Sequence, residues 1–88
     1  MTINSPTDSE TVALAALAAT LTDERRATRF LSITGLSPDV IRASLGDRHT
    51  LAACLGFLED HEPDLIAVGA AIGHQPATLL AARAELES

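Results

Sequence analysis

The chain contains no tryptophan, no tyrosine and no lysine, and its only aromatic rings are Phe30 and Phe57. A core must therefore be built from Leu, Ile, Val and many Ala. Such side chains let helices approach closely, but each contact removes little area from water. One cysteine, Cys54, excludes an internal disulfide and fits a reducing compartment. The longest unbroken apolar run, Val12 to Ala19, is far too short to span a bilayer. Residues Met1 to Thr11 are polar, with neither a basic nor an apolar leader segment, so no secretory signal is expected and the location is expected to be cytoplasmic. With all six cations arginine against twelve acids, the formal charge is −6. That balance disfavours a general nucleic-acid or anionic-membrane binder, because phosphate neutralisation needs clustered cations. The Ala and Arg bias reads as the mark of a GC-rich genome.

What is present is punctuation. The chain is organised around Phe30 to Arg42, which closes one helix, turns and opens the next. Gly35 follows an apolar helical run and suits the left-handed conformation that ends a helix. Ser37 can accept from the free amides of the next helix, Pro38 fits its first position, and Asp39 faces the positive end of its dipole. Leu36, the one apolar residue of the connection, is expected to fold inward. The run from Ile33 through Gly35 to Pro38 is echoed by Ala71 through Gly73 to Pro76. The preferred reading is common helix punctuation, not an internal repeat.

The fold expected is all-α: a compact bundle of five or six short helices joined by Gly/Pro turns. At 88 residues it is one domain, with residues 1–5 disordered and 6–88 helical. Helix one starts around Ser5-Pro6-Thr7-Asp8 and runs to Thr20, with Leu14, Leu17, Ala18 and Leu21 as its core stripe. Its second face, Val12, Ala15, Ala16 and Ala19, suits either a homodimer seam or the last helix of the same chain. Thr22 is expected to cap helix two, which offers Ala27, Phe30, Leu31 and Ile33. Helix three spans Pro38 to Leu45, with Val40, Ile41 and Leu45 facing in. Helix four, Arg48 to Asp60 behind an Asp47 cap, carries Leu51, Cys54, Leu55 and Leu58, and Phe57 off that stripe marks it as central. Helix five, Pro63 to Ile72, carries Leu65, Val68, Gly69 and Ile72, widened by Ile66 and Ala70. Gly69 inside it points to close packing. Helix six, Pro76 to Leu86, carries Leu79, Leu80, Ala82 and Leu86.

On these landmarks the chain resembles the uncharacterised alphaproteobacterial family DUF3572. The resemblance rests on Arg29 to Pro38, then Arg42, Leu45-Gly46-Asp47, Leu55-Gly56-Phe57-Leu58 with the acids after it, and Gly73 with Pro76. It covers about Leu14 to Leu86. It implies a small, cytoplasmic, all-helical bacterial protein and carries over no activity and no site residue.

No stretch bears a catalytic signature. His61, Glu62 and Asp64 lack paired ligands at helical spacing, so a solvated helix end is preferred to a metal site. Cys54 lies in a leucine stripe, where a thiolate would be desolvated. No enzyme activity, cofactor or metal is expected. The expected role is a protein–protein interaction or adaptor module. Its candidate partner surface is a basic face of Arg25, Arg26, Arg29, Arg42 and Arg48, suited to an acidic protein or a second copy, with an ordinary solvated surface as the plainer reading. The alternative is a DNA-reading helix-turn-helix, in which helix three offers only Asp39, Arg42 and Ser44.

Overall fold

A computed structural model describes residues 8–88, and the expectations placed on residues 1–7 lie outside them. Six helices follow one another: α1 Ser9–Thr22, α2 Glu24–Thr34, α3 Pro38–Ala43, α4 Arg48–Glu59, α5 Glu62–Ile72 and α6 Pro76–Glu87. No strand occurs among the described residues.

The helix ends follow local chemistry. Asp8, Asp23, Ser37 and Asp47 each accept a backbone N–H of the first turn that they precede. Asp23, not Thr22, caps α2, and α1 runs on through Thr22, whose hydroxyl bonds back to the Ala19 carbonyl. Gly35 (φ 76°) and Gly73 (φ 77°) both take the left-handed conformation. Their hydrogen bonds differ. Gly35 N–H reaches the Leu31 carbonyl, a single-bond cap, whereas His74 N–H reaches the Gly69 carbonyl and Gly73 N–H that of Ala70, the Schellman pair. The two turns thus share punctuation and not geometry.

Helices α1 and α4 together form the centre of the bundle, each packing on the other and on α2, α5 and α6. Helix α4 buries Leu51, Cys54, Leu55, Phe57 and Leu58. Phe57 meets the edge of Phe30 at 5.3 Å between centroids and stacks on His61 at 4.6 Å, tying α2 and the start of α5 to α4. Leu36 packs against the core from the α2–α3 turn. The inward glycine behaves as expected: a Cβ on Gly69 would lie 2.7 Å from the His74 carbonyl oxygen, so the α5–α6 turn closes directly over it.

Helix α1 is rotated from the expected register. Its buried face is Val12, Ala13, Ala16, Leu17 and Thr20, covered by α4, α5 and α6 of the same chain. Of the expected core stripe only Leu17 is buried; Leu14 is 44% and Leu21 38% exposed, and Ala18 also faces out. The physical reason is that α1 is apolar almost all round, so spacing cannot fix its orientation. Small Ala side chains bring α4 and α6 close, and the hydroxyl of Thr20 is satisfied inside. It donates to the Ala16 carbonyl at 2.7 Å, and its oxygen lies 3.6 Å from the Cys54 sulfur. Further corrections lie at the periphery. Helix α3 ends at Ala43 and is the most lightly packed of the six; Ile41 is buried, but Val40 and Leu45 are 49% and 42% exposed. Ile33, Ile66, Ala70 and Leu80 also point outward.

No single helix among the described residues is long and apolar enough to cross a membrane. Helices α5 and α6 reach that apolarity only together, across a 99° bend.

Candidate functional site

The five arginines singled out in the sequence come from α2, α3 and α4, and most are engaged within the chain. Arg26 donates to the Ala19 carbonyl at 2.8 Å, placing a cation at the end of α1, which has no basic residue in its own last turn. Arg48 does the same for α6, reaching the Glu85 carbonyl at 2.9 Å and the Leu86 carbonyl at 3.3 Å. Arg29 pairs with Asp64 and so bridges α2 to α5. Arg42 pairs with Asp39 on the surface of α3 at 3.0 Å. Arg25 is exposed and has no partner among the described residues. The sixth arginine, Arg83, joins Glu59 at the end of α4 and Glu87 on α6, and both carboxylates hold its guanidinium more firmly protonated.

The groups weighed as metal ligands are dispersed by similar contacts. His61 Nδ1 lies 2.8 Å from the Phe57 carbonyl oxygen and its ring is stacked, while Asp64 faces Arg29. Among the described residues no three of His, Cys, Asp and Glu are placed to hold a metal ion together. Cys54 is fully buried, and burial pushes its thiol up to about 11 from an ordinary 9.0, with the Thr20 hydrogen bond working the other way.

The clefts differ in character. One of about 390 Å³ runs along α6 beside Ser9, and its two anchoring polar groups, Ser9 and Glu85, bond to each other. Another, of about 240 Å³, is almost wholly apolar. Its walls are Leu21, Leu31, Pro38, Ile41, Arg42 and Leu45. A third, of about 200 Å³, continues from Leu45 to Leu14 and Leu51, and ends at Asp8, Glu10 and Thr11. Leu45, just past the end of α3, borders both of the last two, so the clefts adjoin as an apolar track along α1 that faces α3 and the α3–α4 connection.

Sequence reasoning missed this track because it placed Leu14, Leu21 and Leu45 in the core. The available signal was the surplus: α1 has more apolar positions than one buried face can take.

No curated protein and no solved structure matches the chain. A sequence profile described as "Protein of unknown function (DUF3572)" matches residues 6–88, nearly the whole chain. With that match, the chain belongs to the DUF3572 family.

Proposed function

We propose that this protein is a non-catalytic interaction module, an adaptor that works in the cytoplasm by docking another protein. The observation that carries the reading is the apolar track along α1, with Leu14, Leu21 and Leu45 each more than a third exposed on a small domain. The polar side chains support it from the other side. Arg26, Arg29, Arg48, Arg83 and Asp64 are engaged in holding helices to one another, and Cys54 is sealed as a protonated thiol. A sealed thiol also suits a reducing compartment. DNA recognition through α3 has less behind it. That helix is six residues long, and its Arg42 is paired with Asp39 on a chain of charge −6.

In vivo photocrosslinking tests the reading. A photoreactive residue is placed in turn at Leu14, Ile33, Leu45, Ile66 and Leu80, all outward-facing. The module reading expects one discrete adduct of higher mass from at least one position. Absence of adducts at all five, with the protein expressed and folded, contradicts it.

A further inference from the structure

Granting the module reading, the structure assigns the apolar track an occupant: an amphipathic helix of a partner protein whose leucine-type face ends in basic residues. Leu14 and Leu21 lie seven residues apart on one face of α1, about 10 Å along the helix. Leu45 stands opposite and joins the two clefts. The two clefts adjoin at Leu45, and the Leu14–Leu21 spacing matches a docked helix that anchors at i, i+3 or i+4, and i+7.

Charge chooses the partner. Asp8 and Glu10 close one end of the track, and Glu85 lies beside them in an adjoining cleft. Among the described residues the only cation lining that cleft, Arg48, is already directed at the Glu85 and Leu86 carbonyls. At the other end Arg42 is balanced by Asp39. A second copy of the chain is a poor occupant. Each copy carries −6, and among the described residues the track's lining offers no surplus basic end to face the acidic one. A foreign helix with lysine or arginine at one end meets Asp8 and Glu10 and leaves its leucines over Leu14, Leu21 and Leu45. The basic end also fixes the direction in which that helix lies.

The test uses two fluorescein-labelled synthetic helical peptides of about 16 residues, with leucines at i, i+4, i+7 and i+11. One ends in lysines; the other has glutamates at the same places. Anisotropy titrations with the full chain should show micromolar binding of the lysine peptide and at least about tenfold weaker binding of the glutamate peptide. Leu45→Glu should weaken the lysine peptide about tenfold or more, Ile66→Glu should leave it unchanged, and Glu10→Lys should narrow or reverse the preference. Leu14→Glu provides a second block of the track if Leu45→Glu loses its helical circular dichroism. Equal binding of the two peptides, or of wild type and the folded track variant, overturns the proposal. So does a dimer in sedimentation that Leu45→Glu dissociates, since the track is then covered by a second copy. A crosslinked partner reached from Ile66 or Leu80 but not from Leu14 or Leu45 overturns it too, and leaves the module reading standing.

Discussion

Gly69→Ala separates close packing from helix propensity, because the two act with opposite sign. In an open helix the change stabilises by about 1 kcal/mol. At Gly69 the new Cβ would lie 2.7 Å from the His74 carbonyl oxygen, well inside contact distance. That oxygen is backbone, in a turn locked by the His74-to-Gly69 hydrogen bond of 2.9 Å and by Gly73 at φ 77°. The turn must shift as a unit, and overpacking of this kind costs about 3 kcal/mol at the upper end of its usual range. The net is a loss of about 2 kcal/mol, or roughly 10 °C in Tm for a domain of this size. Gly56→Ala is the internal control. Its Cβ would meet only the Arg83 guanidinium, at 3.3 Å, which is the far end of a flexible side chain. Gly56→Ala should therefore hold or raise Tm. Thermal unfolding followed by circular dichroism reads both variants. If Gly69→Ala unfolds no earlier than wild type, the tight closure of the α5–α6 turn is wrong.

Gly35→Val should cost a few kcal/mol through backbone strain alone, since nothing lies within 4 Å of the added Cβ; an unchanged urea midpoint would contradict the left-handed cap. Phe57→Ala should cost about 3–5 kcal/mol, because it empties the contact between Phe30 and His61, and denaturant titration measures it. Cys54 should react with a thiol reagent at neutral pH only as fast as the chain unfolds. The buried thiol keeps its proton to about 11, while the unfolded chain loses it near 9.0. The unfolded state then binds fewer protons between those values, so stability is intact below pH 9, falls by up to about 1.4 kcal/mol per pH unit from there to about pH 11, and loses nothing further from this group beyond it. Unfolding curves at rising pH, with Cys54→Ala lacking that slope, check the sign. Arg48→Gln should lower stability by about 0.3–1 kcal/mol through the lost cation at the end of α6, and Arg25→Gln should leave it unchanged.

Much of the fold was legible because its signals are local. Ser37-Pro38 and Asp47 announce helix starts from residues within a few positions, and Gly35 and Gly73 announce ends. The Leu51, Cys54, Leu55 and Leu58 stripe with Phe57 beside it placed α4 at the centre. The orientation of α1 was not legible, because leucine and alanine surround it and only tertiary contact decides which face is covered. The burial of Thr20 was not legible for a related reason: a polar side chain is buried here because Ala16 and Cys54 supply its partners. The arginines were visible as a group, but their partners, Ala19, Asp64, Glu85 and Leu86, are set by packing between distant segments. The apolar track emerged from that same ambiguity, as the part of α1 and α3 that the core did not need.

The most direct measurement is methyl NMR of the leucines and isoleucines while the lysine-ended peptide is added to the full chain. Shifts are expected at Leu14, Leu21, Leu31, Ile41 and Leu45, with Ile66 and Leu80 unmoved. Shifts centred on Ile66 or Leu80, or none at saturating peptide, would contradict it.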